Sequence, residues 1–121
     1  MDSSAALTLA KLEKDRTSLN NRVCKALRMI WGMPATRHHA GWHGRVNMGE
    51  PGWPDVIAVL PWGGFLGIDT KRPGEEIRPA QREKWAEIRD CCAHVITVTS
   101  LAELKMKVDE IYAARCPERG A

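Results

Sequence analysis

Read for hydrophobic and polar periodicity, the chain divides into helical and extended stretches. Leu19, Val23, Leu27 and Ile30 recur at helical spacing, and Gly32 followed by Pro34 is a stop signal, so residues from about Ala6 to Gly32 are expected to be mainly helix. The first dozen or so, up to about residue 17, are expected to fray or to form a separate arm. Pro34 to Trp53 shows no clear period, although Arg45–Met48 has the character of a strand. Two runs, Asp55–Leu60 and Phe65–Lys71, are apolar on both faces, as in a sheet covered by helices on each side. Pro61-Trp62-Gly63-Gly64 between them has the composition of a hairpin turn.

Arg72-Pro73-Gly74 breaks the second strand, and Pro79 suits the first turn of a helix running to about Asp90. His94–Thr99 is a β-branched strand. Ser100-Leu101-Ala102-Glu103 is a capping box opening a last helix to about Arg115, with Leu104, Val108 and Ile111 inward. Helix, two or three strands, helix, strand, helix argues for one α/β sandwich. The whole chain, 1–121, is expected to be a single domain, which this length can support without disulfide or zinc staples.

No apolar run approaches the ~18 residues that would span a bilayer, and the start lacks the pattern of a secretory signal, so no membrane role and a cytoplasmic location are expected. Cys24, Cys91, Cys92 and Cys116 have no metal-site spacing and are expected to be reduced, small buried hydrophobes. A net charge of +3 is modest, but its distribution is uneven. Between Arg16 and Gly49 stand Arg16, Arg22, Lys25, Arg28, Arg37 and Arg45 with no Asp or Glu, accompanied by His38, His39, His43, Trp31 and Trp42. Such a segment suits a polyanion, with Arg37, His38, His39 and Arg45 as candidate DNA contacts; a solvated basic face is the alternative.

The hairpin concentrates the chemistry. A turn centred on Trp62 sets Asp55 opposite Asp69, with Cβ atoms about 5 Å apart on one face. Lys71 points the same way, about 7 Å further along the strand. Two carboxylates that close repel one another, and burying them costs several kcal/mol unless a cation lies between them. Oxygen ligands on a rigid scaffold suit Mg²⁺ or Mn²⁺. Gln81 heads the helical stripe that continues through Trp85, Ile88 and Cys92. Its amide either meets this site or folds back on its own helix start.

Gly52-Trp53-Pro54-Asp55, Gly67-Ile68-Asp69-Thr70-Lys71 and Gln81 with Trp85 four residues on together resemble the PD-(D/E)XK nuclease signature. More narrowly, they resemble its VRR-NUC branch in the short stand-alone form of phages and bacteria. The resemblance implies a restriction-endonuclease-like αβββαβ core, with a mixed sheet flanked by helices, and phosphodiester hydrolysis with Mg²⁺ or Mn²⁺. It implies Asp55, Asp69 and the carbonyl of Thr70 as metal ligands, and Lys71 as the group that activates water and steadies transition-state charge. It further implies a homodimer that cuts branched DNA such as four-way junctions. A nicking or non-specific duplex nuclease, or a weakly catalytic DNA-binding module on the same scaffold, are the alternatives. The family often carries a Glu on its first helix; here that position is Asn20, which adds no charge. Where it usually has Glu, this chain has the shorter Asp69.

Overall fold

The computed structural model describes residues 3–38, 42–43, 46–47 and 50–119, with α1 (Ser3–Glu13), α2 (Leu19–Trp31), β1 (Ala35–Arg37), β2 (Trp42–His43), β3 (Val46–Asn47), β4 (Val56–Val59), β5 (Phe65–Thr70), α3 (Pro79–Asp90), β6 (His94–Val98) and α4 (Leu101–Arg119) in chain order. The hairpin forms as expected: Val56 pairs with Ile68, Ala58 with Leu66 and Val59 with Phe65. The sheet order is β1-β4-β5-β6, antiparallel except for the parallel β5–β6 pair. The succession α2-β1-β4-β5-α3-β6 is the expected αβββαβ core, and its sheet is mixed.

The expected helix over Ala6–Gly32 is two helices. Asp15 accepts the Thr17 N–H at 2.8 Å and pairs with Lys25 at 2.8 Å, turning the chain after α1. Ser18 then caps α2 by accepting the Asn21 N–H, and Gly32, at φ +68°, closes it in the left-handed conformation that glycine adopts without strain. The stretch over 1–17 for which an arm or fraying was expected holds α1, which packs on α2 and α4 and buries Leu12. The third strand of the main sheet is β1, Ala35–Arg37. The strand expected over Arg45–Met48 is β3, Val46–Asn47, and it pairs with β2.

One face of the sheet carries the main core. Val56, Ala58, Leu60, Leu66, Ile68 and Val98 pack there against Val23 and Leu27 of α2 and Leu104 and Val108 of α4. On the other face α3 sets Trp85 and Ile88 against Val95, with Trp53 and Phe65 beside them. A helix about 10 Å across covers about two strands at their ~4.8 Å spacing. Coverage on this side therefore falls short of β4, where Val59 is 47% exposed and Ile57 half-buried. The two-sided apolar pattern of β4 does not mean two-sided burial.

The starts of α4 and α3 follow their local signals, and α4 runs on to Arg119, past the Arg115 expected. Ser100 accepts the Glu103 N–H at 3.1 Å, and Glu103 reaches back to the Thr99 N–H at 2.6 Å. α3 starts at Pro79, and its C-cap turn puts Cys91 and Cys92 in solvent, so of the described thiols only Cys24 is the buried hydrophobe expected. Burial raises the Cys24 thiol pKa above its ordinary value. Cys92 likewise drops out of the inward stripe, because the helix ends before it. Among the described residues no helix is long and apolar enough to cross a membrane.

Candidate active site

The hairpin register carries the two carboxylates together. One step beyond the Val56–Ile68 pair, Asp55 comes opposite Asp69 at the strand ends. The Asp55 carbonyl accepts the His38 N–H at 2.7 Å, so β1 continues the sheet up to this point. Asp69 is fully buried and Asp55 half-buried. Burial, and then the neighbouring charge of Asp69, push the Asp55 pKa up to about 6. The Thr70 N–H and Lys71 pull in the opposite direction without overcoming them.

Two glycines explain how Asp55 is brought in. Gly67 lies under Pro54, whose ring carbon would stand 2.5 Å from any Cβ at that position. Gly52 has φ +98°, and a side chain there would run into the carbonyl of Ala80 in the first turn of α3. The Gly52-Trp53-Pro54-Asp55 segment thus threads between α3 and β5, with the Ala80 carbonyl at one glycine and the Pro54 ring at the other where only hydrogen fits.

Lys71 closes the other side. Its ammonium lies 2.9 Å from Asp69 Oδ2 and 2.8 Å from Gln81 Oε1, with Glu75 at 3.6 Å. Gln81 does both things open to it. Its oxygen accepts the Arg78 N–H at 3.0 Å and so caps α3, while its amide nitrogen donates to Asp69 Oδ2 at 3.2 Å. A buried Asp–Lys pair by itself is close to neutral for stability. Gln81 satisfies both partners at once and fixes their orientation.

One atom is left over. Asp69 Oδ1 is buried and has no hydrogen-bond partner among the described residues. Leaving a buried acceptor unpaired costs about 1–3 kcal/mol, more when it is charged. An unpartnered carboxylate oxygen beside a second carboxyl whose ionisation is opposed fits a hard divalent cation, which would relieve both. Asp55 and Asp69 are the two side chains able to hold one. Among the described residues no group of three or more His, Cys, Asp or Glu side chains is placed to do so.

Asn20 completes the surroundings from α2. The Thr70 hydroxyl donates to Asn20 Oδ1 at 2.6 Å and lies 3.5 Å from Asp55 Oδ2. Asn20, in the first turn of α2, thus brings a neutral amide to the hydroxyl that stands beside Asp55.

A solved structure described as a VRR_NUC domain superposes on this chain with a TM-score of 0.54, covering 84% of this chain and 95% of that one at 19% sequence identity. The fold is that of a VRR_NUC domain. No protein-family model matches the chain, and no curated protein does. On this VRR_NUC fold Asp55, Asp69, Thr70, Lys71 and Gln81 all come from the hairpin and the helix that follows it, and Asn20 from the helix before the sheet.

Of the residues considered for DNA contact, Arg37 is exposed at the end of β1 and donates to Asn21 at 3.3 Å. His38 lies edge-on to Trp53, ring centroids 6.2 Å apart, and its Nε2 is buried without a partner among the described residues. His39 and Arg45 lie outside the described residues. Trp31, Trp53 and Trp62 are each packed within the fold and half-buried. Trp53 packs on Phe65, Trp62 on Tyr112 with Arg115 over its ring, and Trp31 against the main core.

Two neighbours of these residues have no local signature. Glu75 reaches Lys71 from the loop before α3, four residues on. Lys84, one turn after Gln81, is buried and pairs with Glu50 at 2.8 Å and Glu87 at 3.0 Å beneath Trp53. A lysine at that position reads as solvated surface, and Glu50 stands more than thirty residues before it.

Proposed function

We propose that this chain is a divalent-metal-dependent endonuclease that hydrolyses phosphodiester bonds in DNA. The observation that carries this reading is Asp69: one oxygen is shared by Lys71 and Gln81, and the other is buried and unpartnered beside Asp55. A Mg²⁺ or Mn²⁺ ion held by Asp55 and Asp69, with the Thr70 carbonyl as a third oxygen, would supply Lewis acidity toward the phosphate and the attacking water. Asp69, held by two donors, is preorganised rather than free to rotate. Lys71 uses two of its three N–H groups on Asp69 and Gln81. The third, toward the half-exposed Glu75, is the one a phosphate oxygen or a water molecule can take. Gln81 keeps the ammonium at that position while the substrate comes and goes.

The finer reading is a structure-selective enzyme acting on four-way junctions or other branched DNA as a homodimer. One site per chain makes one cut, and two cuts in symmetric strands call for two sites related by a two-fold axis. The open apolar face of β4 at Ile57 and Val59 offers a second copy a surface. Reduced thiols and a DNA substrate fit a cytoplasmic setting in a bacterial or phage-infected cell.

Asn20 favours one other reading, a DNA-binding module with weak catalysis, because this amide adds no charge to the metal position and is engaged by Thr70. Labelled duplex, nicked, flap and four-way-junction DNA incubated with and without Mg²⁺ or Mn²⁺ separate these. Cleavage only with metal, and preferentially of the junction, is expected; binding without cleavage in either metal supports the module.

A further inference from the structure

We infer that Lys84 is a positioning residue for Asp55, acting by clamping the segment from Glu50 to Pro54 onto α3. This rests on the nuclease reading above. Lys84 is only 8% exposed, although both its acid partners, Glu50 and Glu87, are well exposed. Its ammonium stands 2.8 Å from Glu50 Oε1 and 5.2 Å from the centroid of the Trp53 ring. Its Cβ lies against Gly52, where an added Cβ would meet it at 3.1 Å. One side chain thus touches Glu50, Gly52 and Trp53, and the next two residues are Pro54, seated on Gly67, and Asp55.

Glu50 and then Glu87 hold the Lys84 ammonium in its charged form, raising its pKa against the opposing effect of burial. What the ammonium adds is direction, because it fixes Glu50 and the Trp53 ring relative to the helix. Gln81 and Lys84 are three residues apart and so share one face of α3. Gln81 holds Asp69 and Lys71 on β5, and Lys84 holds the chain that delivers Asp55. The separation of the two carboxylates is therefore set from both sides by one rigid helix. Mg²⁺ and Mn²⁺ accept little variation in the placement of their oxygens, so a loosened Asp55 lowers metal affinity before it lowers the rate at saturating metal.

The test uses the full chain as wild type, Lys84→Met, Lys84→Arg and Glu50→Gln. Mn²⁺ affinity is measured by calorimetry without DNA, DNA affinity without metal, and cleavage as a function of Mn²⁺ concentration. Lys84→Met is expected to weaken Mn²⁺ binding by about tenfold, the size of effect that outer partners of metal ligands have. It should raise the half-saturating Mn²⁺ concentration in parallel, while saturated cleavage and metal-free DNA binding stay near wild type. Lys84→Arg is expected to restore most of the affinity, and Glu50→Gln to show a smaller loss. Wild-type Mn²⁺ affinity in a folded Lys84→Met overturns the inference, as does an equal loss of DNA binding and saturated rate, which would mark general damage. If Lys84→Met does not fold, Glu50→Gln decides, since it alters only an exposed side chain, and unchanged Mn²⁺ affinity there is equally contrary. Wild type that binds no divalent ion overturns the nuclease reading itself and the inference with it.

Discussion

The hydroxyl of Thr70 donates to Asn20 Oδ1 at 2.6 Å, joining the last residue of β5 to the first turn of α2. The same hydroxyl lies 3.5 Å from Asp55 Oδ2, so the helix N-terminus borders the carboxylate pair. An acid at position 20 would add to the negative charge there, and the amide does not.

Asn20→Glu is therefore expected to tighten Mg²⁺ binding by about tenfold or more through a third carboxylate. In the absence of metal the same variant should melt lower than wild type, because it crowds Asp55 and Asp69. A metal titration and a metal-free melting curve check the two halves. Unchanged values in both would place the residue 20 side chain away from the ion.

Gln81→Ala removes the acceptor of Lys71 and of the Arg78 N–H together with the donor to Asp69. The resulting destabilisation should be about 1–3 kcal/mol, and cleavage should fall by about 10- to 100-fold through misplacement of Lys71. Gln81→Glu keeps the two accepted bonds but sets a carboxylate oxygen against Asp69 Oδ2, so its stability relative to Gln81→Ala should fall as pH rises, and cleavage should stay impaired. Denaturant melts and single-turnover rates separate the effects. A stability difference between the two variants that does not change with pH would contradict the contact between this side chain and Asp69.

The pH dependence of the metal-free protein has a defined sign at Asp55. Its pKa in the folded chain is about 6 against an ordinary value of 3.8, so the folded state holds this proton more tightly. Stability contributed by the protonated group is present at low pH and is lost as pH rises from about 4 through 6, with no further change above. Allowing for solvent screening at a half-exposed group, the loss is roughly 1–2 kcal/mol. Several other acids, Asp15, Glu75 and Glu103 among them, are shifted down by their partners and act in the opposite direction. The comparison to make is wild type against Asp55→Asn: relative to the variant, wild type should lose melting temperature between pH 4 and 6.5. A constant difference across that range would mean that Asp55 is not held protonated by its surroundings.

Arg37→Ala, made together with Arg45→Ala, is expected to weaken DNA binding and to flatten its salt dependence, the slope falling by about one for each phosphate that is no longer neutralised. Arg37 is exposed at the strand end next to His38 and Asp55, which places it within reach of a backbone bound at the site. An unchanged affinity and salt slope would make the basic segment a solvated surface.

What was legible in the sequence was what local chemistry dictates. Pro61-Trp62-Gly63-Gly64 sets the hairpin register, and with it the meeting of Asp55 and Asp69; Pro79 and the Ser100–Glu103 box set two helix starts. Lys71 and Gln81 follow from strand and helix spacing. The break at Asp15 was hidden because it depends on Lys25, ten residues on, as much as on its own neighbours. The three-residue β1 has too little pattern of its own and exists through its pairing with β4. Lys84 could not be read as buried, since Glu50 and Trp53 cover it from a segment with no period. The open face of β4 depends on how far one helix reaches across a sheet, which no pattern within β4 encodes.

The nuclease reading depends most directly on Asp69. The measurement is cleavage of a labelled four-way junction by wild type and by Asp69→Ala in Mg²⁺ or Mn²⁺, with DNA binding and melting temperature recorded for both. Wild type should cut only when metal is present. Asp69→Ala should melt lower than wild type, because Lys71 loses its buried partner. At a temperature where it is folded it should bind the junction with near wild-type affinity and cut at least about 1,000-fold more slowly, a deficit of about 4 kcal/mol in transition-state stabilisation. Metal-dependent cutting by Asp69→Ala at the wild-type rate would contradict the account.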